Sequence, residues 1–204
     1  MISLINLKKF IFIIILILFS SYSYAVNDEK KIISEIKSYI KNLNKLEADF
    51  IQVGPDGKVS EGKLYLDLPG KIRFEYIKPE NLLITSQGFW LVVQDRKLKY
   101  TNNIPLNQTP LYFFLNKKLN FKKRGLKITL KKELGLIILT IKDNDQYHQS
   151  TLTLQFSENP INLKKWIITD EFDNKTSVLL QNLNVMENLS NLLFFPDEFE
   201  EDKQ

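Results

Sequence analysis

EGKLYLDLPGKIRFEYIKPENLLITSQGFWLVVQ, residues Glu61 to Gln94, is the stretch whose reading decides the fold. It divides into four short apolar runs, Lys63 to Leu68, Lys71 to Ile77, Leu82 to Ser86 and Phe89 to Gln94, set apart by Pro69-Gly70, Lys78-Pro79-Glu80-Asn81 and Gln87-Gly88. Short runs rich in branched and aromatic residues and bounded by turn formers predict an antiparallel β-meander. Side chains alternate along a strand, so the register of the first hairpin decides which face is apolar. A two-residue loop would set Leu64, Leu66 and Leu68 among Lys71, Arg73 and Glu75. A three-residue loop, Pro69 to Lys71, pairs Leu68 with Ile72, Leu66 with Phe74 and Leu64 with Tyr76, and places Asp67 and Arg73 together on the other face. The second register gives one continuous apolar face and is the one expected.

Upstream, Ala48 to Val53 and Lys58 to Leu68 flank Pro55-Asp56-Gly57, a turn signal that makes them a hairpin. Downstream, Lys97 to Thr101 reads as a further short strand, and Phe89 to Val93 is apolar without alternation, which predicts a strand covered on both faces. Thr109-Pro110 opens a short helix, with a hydroxyl at the cap and proline at the first helical position, where no amide donor is needed. Leu111, Phe114 and Leu115 share one side of it, while Tyr112 and Phe113 make the other side aromatic. Isolated helices below ~12 residues are marginal in water, so this one has to dock and can undock. Strand-like runs resume at Leu126 to Leu130, Leu134 to Ile141, Ser150 to Phe156, Lys164 to Asp170 and Ser177 to Leu183, with polar turns at Asp143-Asn144-Asp145 and Asp173-Asn174. The tail from Asp197 to Gln204 is acidic and expected to be loose.

At the chain start, Lys8-Lys9, the apolar run Phe10 to Phe19 and Ser23-Tyr24-Ala25 form a basic region, a hydrophobic core and a small-x-small ending. This predicts a secretory signal peptide over residues 1–25, cleaved after Ala25, and one domain over 26–204. The competing reading is an uncleaved anchor helix, although the apolar core falls short of a membrane span of about 20 residues. With no cysteine there is neither a disulfide framework nor a lipid attachment site at a mature N-terminus. A helix is expected from Asn27, capped by Asn27 or Asp28, with Ile32, Ile33, Ile36, Tyr39, Ile40, Leu43 and Leu46 in one apolar stripe. It packs permanently on a sheet or serves as a mobile cover over a ligand.

Composition excludes more than it selects. Hydrophobic residues make up 44% of the 204, a globular value, and removing Lys8 and Lys9 from the net charge of +4 leaves +2, too little to argue for nucleic acid. The basic cluster Lys117, Lys118, Lys122, Lys123, Arg124 and Lys127 reads as a solvated loop face or as an attraction for anionic head groups or an acidic partner. Catalytic constellations are missing: His148 is the only histidine, and there is no Gly-x-Ser-x-Gly or phosphate-cradling glycine loop. Asp143 and Asp145 lack the glycine and terminal glutamate of a calcium loop. Glu198, Glu200 and Glu201 have no apolar surroundings to tune a carboxyl for acid-base work. The sequence therefore implies no enzyme, no cofactor and no metal; an exported hydrolase would need a nucleophile and a base that it does not supply.

Ala48-x-Phe50-x-Gln52, Gly57, Gly62-x-Leu64, Pro69-Gly70-x-x-Arg73-Phe74-Glu75-Tyr76, Pro79, Gly88 and Asn107-Gln108-Thr109-Pro110-Leu111, in this order and spacing, resemble the LolA family of periplasmic outer-membrane lipoprotein carriers. The resemblance covers roughly residues 45 to 116. It implies an α+β, mainly β fold: an incomplete, half-open antiparallel β-barrel with α-helices covering a concave hydrophobic face that holds acyl chains. On that basis Leu64, Leu66, Ile72, Phe74, Tyr76, Ile84 and Trp90 line or rim the lipid-binding cavity, and Leu68, Leu111, Phe114 and Leu115 belong to its lid. Several family members carry an arginine before the first hairpin's proline; here Leu68 stands there, implying an apolar latch to Leu111 or Leu115. The implied partners are acylated lipoproteins, an inner-membrane lipoprotein-releasing ABC transporter and an outer-membrane receptor, with a monomeric carrier in the periplasm. The receptor of the same fold would carry a cysteine just after its signal peptide, and a carrier of other lipids remains the alternative.

Overall fold

The computed structural model describes residues 28–77, 79–115, 125–143 and 150–199. The expected signal segment, the basic cluster apart from Lys127, His148, Asp145, Glu200 and Glu201 lie outside the described residues. The chain forms two compact units, one ending at Ser38 and the other beginning at Tyr39. Helix α1 covers residues 28–42, with Asp28 and Glu29 in the first turn, where carboxylates complement the helix dipole. It ends before Leu46, which the sequence stripe had included and which instead belongs to the first strand.

The second unit is an eleven-stranded sheet: β1 (Lys45–Val53), β2 (Val59–Asp67), β3 (Lys71–Tyr76), β4 (Leu82–Gln87), β5 (Trp90–Asp95), β6 (Tyr100–Pro105), β7 (Leu126–Glu133), β8 (Leu136–Asp143), β9 (Thr151–Ser157), β10 (Asn162–Thr169) and β11 (Lys175–Val185). All neighbouring pairs are antiparallel, in the order β6-β5-β4-β3-β2-β1-β11-β10-β9-β8-β7. Two meanders, β1 to β6 and β7 to β11, thus join where β1 pairs with β11. β6 and β7 are consecutive in sequence yet form opposite edges, so the sheet stays open and the chain between them must cross from one edge to the other. Helix α2 (Leu111–Leu115) lies in that crossing.

β6 begins later than the expected run from Lys97. Asp95 Oδ1 accepts the amides of Lys97 and Leu98, both at 2.9 Å, which closes a turn completed by Lys99 at φ 51°.

The first hairpin pairs Asp67 with Lys71, Leu66 with Ile72, Leu64 with Phe74 and Gly62 with Tyr76. Its loop is Leu68 to Gly70, and the pairing lies two residues from the expected one. A slip of two leaves every side chain on its expected face. Gly70 explains the slip. As the third loop residue it adopts φ 85°, the left-handed conformation that glycine takes without steric cost, and a Cβ there would stand 3.0 Å from Gly88 Cα in the β4–β5 turn.

The sheet curls strongly. β3 and β10 are four interstrand steps apart, roughly 19 Å along a flat sheet at about 4.8 Å per step. Yet the Phe74 and Trp166 rings, one on each strand, meet edge to face with centroids 5.9 Å apart. The mainly β, incomplete antiparallel barrel expected from the sequence is therefore the fold of this unit.

Candidate binding face and lid

The inner face is assembled by period two. Strand pairing aligns Ala48 with Leu64, Leu64 with Phe74 and Phe74 with Ile84 on one meander, and Val178 with Trp166, Trp166 with Leu154 and Leu154 with Leu139 on the other. Phe50 joins the halves by pairing with Gly62 on one side and Leu180 on the other. Its ring meets Phe74 at 5.1 Å and Tyr76 at 5.0 Å, both edge to face. Gly62 makes this close packing possible, because a Cβ there would collide with the Glu75 carbonyl and stand 2.8 Å from Phe50 Cε1. At the rim, the buried Tyr76 hydroxyl donates to Gln52 Oε1 at 2.8 Å, and burial pushes its pKa up to about 12.

Leu64, Leu66, Ile72, Phe74 and Tyr76 are all buried on this face and Ile84 is half-buried there. Trp90 is not on it. Ile84 pairs with Val93, so Leu91 and Val93 point inward, while Trp90 shares the outer face with Val92 and Thr85 and is 52% exposed. The expectation for Trp90 is corrected accordingly: its unbroken apolar run offered no alternation from which to assign a face.

Of the lid residues, Leu111, Phe114 and Leu115 are buried on α2, and Leu68 is buried in the β2–β3 turn. Phe114 is completely buried, its ring centroid 6.2 Å from that of Trp166. The Gly70 amide donates to the Leu115 carbonyl at 2.8 Å. This backbone bond ties the helix to the first hairpin. Thr109 does not cap α2 with its hydroxyl as expected; the hydroxyl donates instead to the Leu106 carbonyl at 2.8 Å, bracing the 3-10 turn Leu106–Gln108 that precedes the helix. At the far end of the face, the last turn of α1 contributes Tyr39. Its ring meets Phe156 at 5.9 Å and its hydroxyl accepts the Leu163 amide at 3.1 Å.

The outer face of β3 to β5 carries the feature that sequence reading missed. The chain beyond β11 returns across it, through the 3-10 turn Asn191–Phe194, to Asp197. Arg73 Nη1 donates to the Leu193 carbonyl at 3.0 Å, and Lys71 Nζ donates to Asn191 Oδ1 at 2.6 Å. The Gln94 side-chain amide pairs with the Asp197 backbone in both directions, at 2.7 and 2.9 Å, and Arg96 Nε donates to the Asp197 carboxylate at 2.7 Å. Glu75 accepts from both Arg73 and Arg96 at 3.1 Å. Partial burial alone would raise the Glu75 carboxyl, but the two guanidinium groups outweigh it and hold the pKa below the usual carboxylate range. Asp197, expected in a loose tail, is thus fixed.

The site is thus a curved apolar face closed by a small helix, and among the described residues no cluster of three or more His, Cys, Asp or Glu side chains could hold a metal ion. The family model described as outer membrane lipoprotein carrier protein LolA matches residues 41–197, and the chain belongs to that family, one of periplasmic carriers. An uncharacterised protein of Rickettsia prowazekii strain Madrid E is 24% identical over 179 residues, covering 84% of this chain and 83% of its own length. The outer-membrane lipoprotein carrier protein of Methylococcus capsulatus strain Bath is 40% identical over 60 residues, 27% of this chain and 29% of the relative. Among solved structures, a LolA superfamily protein from Nitrosomonas europaea aligns with TM-score 0.45 at 10% identity, covering 82% of this chain and 97% of that one. An uncharacterised conserved protein from Thermus thermophilus aligns with TM-score 0.49 at 10% identity, covering 84% and 96%.

Proposed function

We propose that the chain is exported by its first 25 residues and acts in the periplasm as a monomeric carrier. It binds the acyl chains of lipoproteins on the face beneath α2 and shuttles them from the inner-membrane ABC transporter to the outer-membrane receptor. The observation that carries this reading is a contiguous apolar face closed by a five-residue helix whose Leu111, Phe113, Phe114 and Leu115 are buried and whose Leu115 carbonyl accepts the Gly70 amide. Such a cover is apolar enough to be replaced by hydrocarbon where acyl chains take its place.

The energetics require a carrier of this kind. Each buried methylene of a lipid anchor is worth about 0.8 kcal/mol, so three chains of about fifteen amount to some 35 kcal/mol. That exceeds the approximate 18–21 kcal/mol ceiling of non-covalent association, which forbids spontaneous desorption into water. Transfer from one apolar face to another avoids the aqueous state, and no catalytic group is needed for it.

The test is mass spectrometry of what co-purifies with the exported protein from the periplasm. Acylated lipoproteins are expected; free phospholipids in their place would support a carrier of other lipids, and the absence of any acyl-bearing species would overturn both readings.

A further inference from the structure

We propose that the outer face of β3 to β5 is a peptide-binding site for a short segment of a partner protein carrying a bulky apolar residue, a proline and then a carboxylate. In this structure the chain's own Phe194-Phe195-Pro196-Asp197 occupies the site.

The occupant in place displays what the surface recognises. Phe194 is buried beneath Lys71, whose ammonium lies 5.8 Å from the ring centroid. Gln94 mimics a peptide group, reading the backbone amide and carbonyl of Asp197 whatever its side chain, and Arg96 reads the carboxylate with a charge-assisted bond. Arg73, 8% exposed, reads the carbonyl one residue before Phe194. Three polar side chains, Arg73 on β3, Gln94 on β5 and Arg96 just beyond β5, are therefore spent on backbone atoms and one carboxylate of the segment, an arrangement that any chain of the same pattern and turn satisfies.

The chain's own segment fills the site incompletely. Beside it remains a groove of about 190 Å³ lined by Thr85, Phe89, Trp90, Val92, Phe194 and Pro196. Phe89 is 86% exposed at its edge and Trp90 half-exposed, an apolar surface larger than a scattering of single residues. Thr85 Oγ1 is buried with no hydrogen-bond partner in this conformation, a cost that an occupant with a different side chain can relieve. A partner segment with a larger apolar anchor buries Phe89 and Trp90, which the resident segment leaves in water. Charge selects the same class of partner: the guanidinium of Arg96 demands an acid, and replacing Asp197 with a neutral residue leaves that cation without its closest counter-ion at this position.

The test uses a fluorescent decapeptide with the sequence of residues 190–199 and the full chain, read by anisotropy. In the Phe194→Ala/Asp197→Ala variant the resident segment is weakened while Arg73, Gln94 and Arg96 are intact, and saturable binding is expected. Wild type should bind at least about tenfold more weakly, because its own segment competes at an effective concentration in the millimolar range. Changing Asp to Asn in the peptide, or Arg96→Gln in the weakened chain, should each cost tenfold or more. Circular dichroism confirms that each variant is folded. Absence of saturable binding to the folded weakened variant, or binding indifferent to both the Asp and Arg96 changes, overturns the proposal. So does a segment-exchanged dimer of the wild type under the same conditions, which would make a second copy the occupant.

Discussion

The Gly70 amide is a reporter of the lid. It donates to the Leu115 carbonyl, so it exchanges with solvent when α2 leaves the first hairpin. Phe114 is the large α2 side chain whose ring meets Trp166 while wholly buried. Replacing a buried Phe by Ala costs about 3–5 kcal/mol, and this burial is lost on lid opening, so opening becomes easier by nearly that amount in Phe114→Ala. At about 1.4 kcal/mol per factor of ten, exchange at Gly70 should accelerate about 100-fold or more. Hydrogen exchange by NMR on wild type and variant without cargo gives the ratio, with amides in the β1–β11 pairing as internal controls. Equal Gly70 rates in the two proteins, alongside a lowered melting temperature in the variant, would refute the reasoning: Phe114 would then support the sheet without holding the lid.

Other outcomes follow from the packing. Gly62→Ala should destabilise by about 1–3 kcal/mol, because the added methyl meets the Glu75 backbone and the Phe50 ring; a melting temperature within a degree of wild type would contradict it. Tyr76 has its folded pKa raised to about 12 from 10.0, so the unfolded chain loses this proton first as pH rises. Its contribution is fully present below pH 10 and is lost by pH 12, by up to about 2–3 kcal/mol; denaturant titrations should show a shallower alkaline decline for Tyr76→Phe. Phe74→Glu should abolish uptake of an acylated lipopeptide, since a carboxylate there is desolvated at a cost of several kcal/mol, whereas Glu61→Ala on the exposed outer side of β2 should leave uptake unchanged in protein of equal folded fraction.

What could be read from the sequence was parity, and what could not was tertiary partnership. Leu64, Leu66, Ile72 and Phe74 alternate with polar residues, so their faces survive even though the hairpin pairing lies two residues from expectation. Trp90 sits in a run without alternation, and its face depends on the pairing of Ile84 with Val93. Trp166, the centre of the inner face, was hidden because the bulge between Leu163 and Lys165 breaks the period of β10. The ordered Asn191 to Asp197 segment gave no local signal, since its stability comes from Arg73, Gln94 and Arg96, about a hundred residues earlier in the chain. The Gly70 to Leu115 bond joins backbone groups, which no side-chain pattern announces.

The central claim, that acyl chains occupy the inner face beneath α2, is tested most directly by the chain's two tryptophans, Trp166 inside and Trp90 outside. A lipopeptide with bromine on its acyl chains quenches indole fluorescence on contact. Added to Trp90→Phe, which keeps Trp166, it should quench strongly and saturably; added to Trp166→Phe, which keeps Trp90, it should quench little. Equal quenching of the two, or stronger quenching of Trp90, would place the acyl chains elsewhere and contradict the account.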